Sequence, residues 1–305
     1  MAPATLWAQG AGSVPRIGYL TLDNPEPYFG YFKEGLQKLG YHEGRNVQIE
    51  FRSAEGKSER LAELAAELVR LKVDVLAARL TPAVLAAKQV TREIPIVMVG
   101  AGDPVGTGIV ASLARPGGNI TGTSSTVTDL VGKLFDFARE LLPRARRAAV
   151  LVNATDPLSK PLLMQIQSAG QKAGVEILSA SIREAGEMDK AFPDFVKRRA
   201  DFLIVQPSLP LGRAAELALK YRLPAIGPNS SFPQAGGLMA YGSIAADVHR
   251  DAAVYVDKIL KGAKPGDLPV QQPTRFELVI NTRTAKALGI KFPQSLLLRA
   301  DRVIE

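Results

Sequence analysis

The sequence predicts an α/β fold of two lobes, each built on a parallel, doubly wound sheet. Three observations lead there. Short strand-like runs alternate with helix-like runs from Arg16 onward, the pattern of crossover units and parallel sheets. Beyond residue 125 the same order of elements returns. Matched residues in the two halves keep a nearly constant offset of about 130 positions.

In chain order, "RIGYLTL" (16–22) reads as a buried strand. "GYFKEGLQKLGY" (30–41) carries helical apolar spacing and stops at Gly40, and "NVQIEFRSA" (46–54) alternates with period two. "SERLAELAAELVRLK" (58–72) opens on a Ser cap with Glu in its first turns and leads into the strand "VDVLAAR" (73–79). Helix "PAVLAAKQVT" (82–91), strand "IPIVMVG" (94–100) and helix "PVGTGIVASLA" (104–114) follow. In the second half, "RAAVLVN" (147–153) parallels "RIGYLTL", and Gln171-Lys172-Ala173-Gly174 falls over Gln37-Lys38-Leu39-Gly40. "KRRADFLIVQPSLP" (197–210) sets Asp201 over Asp74, and "RLPAIGP" (222–228) sets Pro224 over Pro95. The second repeat is used up by Tyr241. "ADVHRDAAVYVDKILKG" (246–262) is therefore expected to return to the first lobe, and "FELVIN" (276–281) to cross back.

With 305 residues, 46% hydrophobic and 22% charged, the chain can fill two ordinary cores. No apolar run approaches the ~18 residues of a membrane span. The net charge of +8 is dispersed. Its densest groups, Arg144/Arg146/Arg147 and Lys197/Arg198/Arg199, precede apolar strands, where helix C-termini lie and cations complement the dipole. That favours a solvated basic surface and no nucleic-acid partner. Without cysteine there is no disulfide, thiolate metal site or Cys nucleophile. Residues 2–14, small, apolar and uncharged, look like the tail of a secretory signal lacking its basic region; a disordered cytosolic N-terminus is the alternative.

Ligands of doubly wound sheets bind beyond the carboxyl ends of the strands. Those ends offer Thr21–Phe29, Arg79–Pro82, Gly100–Asp103 and Ser124–Thr126 in the first half, with Ser125 among them. The second half offers Asn153–Asp156, Gln206–Ser208, Gly227–Ser230 and Tyr241–Ser243. Thr81-Pro82 reads as an N-cap followed by Pro at N1, leaving a hydroxyl and free N–H groups for a carboxylate. Asp103-Pro104 repeats that arrangement; Asp103 or Asp23 could pair with a ligand amine. Tyr28 or Phe29, and Tyr241, could cover the apolar part of a ligand. Arg79 could neutralise an anion or reach out to solvent. The Gly-rich stretch "VMVGAGDPVGTGIVASL" (97–113) lacks the Lys of a phosphate loop and the spacing of a dinucleotide fingerprint. His42 and His249 are the only histidines and fall outside the expected cleft edges. There is no nucleophile with a base, so binding is better supported than catalysis, with no cofactor and no metal.

"GDPVGTGIVASLARPGGNITG" (102–122), "LALKYRLPAIGPNSSFPQAGGLMAYG" (217–242) and "DAAVYVDKILKGAKPGDLPVQQPTRFELVINTRTAKALGI" (251–290) resemble the ABC-transporter solute-binding family that includes tryptophan- and other aromatic-amino-acid-binding lipoproteins. The resemblance implies the type I periplasmic-binding-protein fold: two Rossmann-like lobes, three hinge crossings and a small ligand held by hinge closure. Lobe 1 is then expected at 15–124 plus 245–274, and lobe 2 at 125–244 plus 275–305. It implies an ABC permease and ATPase as partners and a periplasmic location. Without a lipobox Cys, no direct membrane anchor is expected. By position, Thr81, Asp103, Ser208, Asn229 and Tyr241 carry over as ligand contacts, beside Asp23, Tyr28, Pro82, Ser125 and Asn153 from the strand ends. Arg79-Leu80 stand before Thr-Pro where Gly or Ser is commoner in the family. Two other readings share the core: a repressor, which would carry a DNA-binding headpiece, and a nucleotide-sugar glycosyltransferase, which would need a clustered diphosphate site.

Overall fold

The computed structural model describes residues 14–23 and 26–305. The expected signal remnant over 1–14 lies, but for Val14, outside the described residues.

The first sheet joins β1 (Arg16–Thr21), β2 (Gln48–Ser53), β3 (Val75–Arg79), β4 (Ile96–Gly102) and β5 (Ile120–Ser125) in the order β2-β1-β3-β4-β5, all parallel. Strands buried on both faces need cover on both. One face packs Leu20, Leu76 and Met98 against Leu64, Leu68 and Val84 of α2 (Leu61–Arg70) and α3 (Leu80–Val90). The other packs Ile17, Tyr19 and Val97 on Phe32 and Leu36 of α1 (Tyr28–Lys38).

The stretch 104–114, expected as a helix, is a series of turns. Gly106 and Gly108 each weaken a helix by about 1 kcal/mol. The Asp103 carboxylate instead takes the Gly106 N–H at 2.9 Å, and Gly108 turns at φ 71°.

The chain continues through α4 (Val131–Leu141), β6 (Arg147–Asn153), α5 (Ser159–Ala173), β7 (Glu176–Ile182), α6 (Met188–Lys197) and β8 (Phe202–Val205). Then come α7 (Leu211–Lys220), β9 (Ala225–Gly227), α8 (Ser231–Gln234) and β10 (Met239–Ser243). The second sheet runs β7-β6-β8-β9-β10, the order of the first. The matched aspartates do one job in both halves. Asp74 accepts the Arg16 N–H at 2.7 Å, and Asp201 the Arg147 N–H at 2.8 Å, each fixing where its first strand begins.

Helix α9 (Ala245–Leu260) then lies along α1 in the first lobe, adding Ala252, Ala253 and Val256 to its core. The two helices touch at Gly35, where a Cβ would come within 2.8 Å of Ala253 Cβ. After Val270, also in the first lobe's core, the chain enters the second sheet as β11 (Phe276–Asn281), antiparallel to β10. Helices α10 (Thr282–Leu288) and α11 (Gln294–Arg299) and strand β12 (Arg302–Ile304) complete it. No helix of the described residues is long and apolar enough to cross a membrane.

Candidate ligand-binding site

The carboxyl ends of the two sheets face each other across a cleft of about 950 Å³, at the upper end of the ~300–1,000 Å³ usual for small-molecule sites. Asp23, Tyr28, Phe51 and Arg79 line it from the first lobe, and Leu211, Arg213, Ser231 and Gln234 from the second. Behind it lies an inner chamber, of which Tyr28 and Arg79 are also walls. Ser125, Thr126, Asn229 and His249 give the chamber its polar lining; Val127, Leu130, Ile204, Pro228 and Tyr241 make much of the rest apolar.

Arg79 ends β3. Leu80, at φ 63°, swings the chain straight into α3, so the Arg79 side chain stays inside rather than reaching solvent and is 3% exposed. Its Nη1 donates to Asp23 Oδ1 at 2.5 Å, and its guanidinium carbon sits 3.9 Å from the centroid of the Tyr28 ring. Burial opposes the charge, but Asp23, Tyr28 and Tyr19 outweigh it and raise the pKa above the usual guanidinium value. Beneath it the Tyr19 phenol is fully buried. Burial drives its pKa far up, against the pull of Arg79.

Tyr28, the first residue of α1, reaches across to the other lobe. Its hydroxyl lies 2.7 Å from Ser231 Oγ and donates to Asn229 Oδ1 at 3.3 Å. Behind its ring, nearly parallel at 5.2 Å, lies the imidazole of His249 on α9. Burial, with the Arg79 charge adding to it and the Ala245 carbonyl opposing, lowers the His249 pKa to about 3. The ring is neutral, and its Nδ1 lies 2.7 Å from the Ala245 carbonyl oxygen. A carbonyl only accepts, so this contact assigns the proton to Nδ1 and leaves Nε2 an acceptor.

Two more contacts join the lobes. The Thr155 and Ser58 hydroxyls are hydrogen-bonded at 2.8 Å. Gly102, ending β4, packs on Leu158 so closely that a Cβ on it would lie 2.4 Å from Leu158 Cδ2.

Of the ten residues drawn from the sequence, Asp23 and Tyr28 stand in the outer cleft, and Ser125, Asn229 and Tyr241, like Tyr28, line the chamber. The other five are spent elsewhere. Helix α3 starts at Leu80 with Arg79 as N-cap, so Thr81 does not cap it and Pro82 is buried within it. The Thr81 hydroxyl accepts the Gly102 N–H at 3.1 Å and donates to the Gly102 carbonyl at 3.3 Å. It braces the end of β4 and presents no carboxylate grip. The Asp103 carboxylate is taken by its turn and lines neither cavity. Asn153 and Ser208 belong to a network inside the second lobe. There Asp156 Oδ2 accepts from Gln206 Nε2 at 2.8 Å and Ser208 Oγ at 2.5 Å, and Asn153 Nδ2 donates to the Ser208 carbonyl at 3.3 Å. Burial raises the Asp156 pKa, although Ser208, the Leu158 N–H and Gln206 pull the other way.

His249, placed outside the cleft edges from the sequence, lines the inner chamber. The signal was a single polar residue on the stripe His249, Ala252, Ala253, Val256, which packs inward once α9 returns to lobe 1. Among the described residues no three His, Cys, Asp or Glu side chains gather as a metal site.

Two mirrored α/β lobes closing on a polar-rimmed, apolar-walled chamber define a solute-binding protein. The chain belongs to the ABC transporter substrate-binding protein family, whose model matches residues 26–304. It is 29% identical over 266 residues to a tyrosine-binding protein of Clostridioides difficile strain R20291, covering 85% of this chain and 76% of that one. It also superposes on the ABC domain from Streptococcus pneumonia in complex with L-Trp, with a TM-score of 0.87 at 25% identity, over 96% of this chain and all of that one. Against the ligand-free, open form of a substrate-binding protein with adhesive properties from Clostridium difficile, the TM-score is 0.66 at 25% identity, over 95% and 99% of the chains. The family is one of binding proteins, not enzymes, and the glycosyltransferase alternative is not favoured.

Proposed function

We propose that this protein captures a small carboxylate, an amino acid or aromatic acid, by closure of its two lobes, and delivers it to an ABC permease and ATPase from the periplasmic side. The observation that carries the ligand class is Arg79, a buried cation at the end of β3, lining both cleft and chamber. A carboxylate meeting its guanidinium gains charge-assisted hydrogen bonds in a site of low dielectric. Asp23, already within reach of Arg79, is placed to receive an ammonium group. The apolar chamber suits a hydrocarbon or aromatic side chain. The lobe arrangement is nearer the L-Trp complex than the open form, as expected of a clamp drawn in its gripping state. No turnover is expected, because closure requires no reactive group.

The test is calorimetry of protein stripped of ligand by unfolding and refolding, titrated with the twenty amino acids and simple benzoates. At least one should bind near micromolar, about −8 kcal/mol, and Arg79→Met should abolish that binding. If none binds, or Arg79→Met binds as well as wild type, the reading is wrong.

A further inference from the structure

Among the described residues, four buried side-chain atoms have no hydrogen-bond partner: Tyr19 Oη, Arg79 Nε, Thr126 Oγ1 and His249 Nε2. Three of these residues line the inner chamber. Buried polar groups are almost always paired, so three unpaired ones around one cavity mark groups left for a bound ligand.

The three differ in kind. The Nε–H of Arg79 only donates. The Thr126 hydroxyl can do either. His249 Nε2 only accepts, since the contact with Ala245 keeps the proton on Nδ1 and burial holds the ring neutral at any physiological pH.

We propose that His249 determines specificity, accepting through Nε2 a hydrogen bond from an O–H or N–H carried on the ring of an aromatic ligand. The chamber then selects phenols and indoles against a bare phenyl ring. A phenolic hydroxyl also accepts, so it can meet the Thr126 hydroxyl at the same time. An indole N–H satisfies the histidine alone, and the bare ring of phenylalanine or benzoate leaves His249 Nε2 and Thr126 Oγ1 unpaired. A site that hydrogen-bonds a hydroxyl discriminates strongly against the analogue lacking it, because its own buried groups are stranded. The inference rests on the aromatic-carboxylate reading above and adds the chemistry of the ring.

The experiment titrates refolded protein with L-tyrosine, L-tryptophan and L-phenylalanine, and with 4-hydroxybenzoate and benzoate. Wild type should hold tyrosine at least about tenfold tighter than phenylalanine, with tryptophan between, and 4-hydroxybenzoate tighter than benzoate. His249→Leu should bring each set together. If wild type binds phenylalanine as tightly as tyrosine, if only non-aromatic amino acids bind, or if the preference survives in His249→Leu, the inference falls while the carboxylate reading stands. If no carboxylate binds at all, both fall. Should His249→Leu fail to fold, the wild type still decides. The chain has two histidines, so their imidazole nitrogens are readily assigned by ¹⁵N NMR. The Nδ1–H tautomer and a shift of Nε2 on adding tyrosine are expected; an unmoved Nε2 overturns the proposal.

Discussion

Replacing Gly102 by alanine should hold the lobes apart. A Cβ on Gly102 would lie 2.4 and 2.8 Å from the two methyls of Leu158 and 3.2 Å from its Cγ, all well inside contact distance. Leu158 is 4% exposed and belongs to the second lobe's core, so it cannot simply turn away. Gly102 has no left-handed backbone to disturb, which leaves the collision as the main effect. Overpacking of this kind costs about 1–3 kcal/mol. Because the two residues belong to different lobes, opening the hinge relieves it, and the cost falls on the closed state alone. Ligand affinity should therefore weaken about 5- to 150-fold, while the melting temperature without ligand stays near wild type. Adding Leu158→Ala removes the methyls and should restore much of the affinity. Calorimetry gives the constants, and small-angle scattering with ligand reports whether the lobes close. Unchanged affinity in Gly102→Ala, or no recovery in the double variant, would refute the reasoning.

Four further outcomes are expected. Tyr28→Phe removes the hydroxyl facing Ser231 and Asn229 and should weaken ligand binding by about 0.5–1.5 kcal/mol; a double-mutant cycle with Ser231→Ala that proves additive would show no latch. Thr81→Val strands the buried Gly102 N–H and should cost about 1–3 kcal/mol of stability in urea melts, so an unchanged midpoint would discount its bracing role. The His249 pKa falls from 6.5 unfolded to about 3 folded, so between those values the unfolded chain holds a proton that the folded one lacks. Stability should then fall as pH drops, by about 1.4 kcal/mol per unit and about 3 kcal/mol by pH 4.5. His249→Gln should flatten that part of the pH profile, and an identical profile would count against it. Asp156 works in the opposite sense: its pKa is raised by burial, so stability falls as pH rises from the ordinary carboxylate value through the folded one; Asp156→Asn should remove that part of the pH profile, and an unaltered profile would speak against it.

The two-lobed plan was legible because strand burial and helix periodicity are local, and because a duplicated order leaves matched residues. Asp74 and Asp201 could be aligned before their shared hydrogen-bonding task was visible. Asp301 makes the same kind of contact, accepting the Leu278 N–H within β11 at 2.7 Å, but lies outside the repeat, so no alignment exposes it. The turns over 104–114 are hidden by their helical apolar spacing, which the cost of Gly106 and Gly108 outweighs. At the site, a strand end places a residue to within one or two positions, but whether its polar atoms face the cleft depends on contacts distant in sequence. Thr81 turned to Gly102, the Asn153 amide to the Ser208 carbonyl and the Ser208 hydroxyl to Asp156; none of these choices is written in the neighbouring residues. His249 shows the converse. Its place in the wall depends on α9 crossing back to pack beside α1, a long-range event that brings a helix face to the Tyr28 ring.

Tyr28 and Arg79 are walls of both cavities, and Tyr28 is fastened to the opposite lobe. A molecule seated in the chamber is therefore behind a door whose bolt is an interlobe hydrogen bond. If capture works by closure as proposed, the molecule's escape rate is limited by the rate at which the hinge opens. Residence time thus depends on the latch as well as on the ligand's own contacts. A membrane partner that pries the lobes apart can empty the chamber without competing for a single ligand contact.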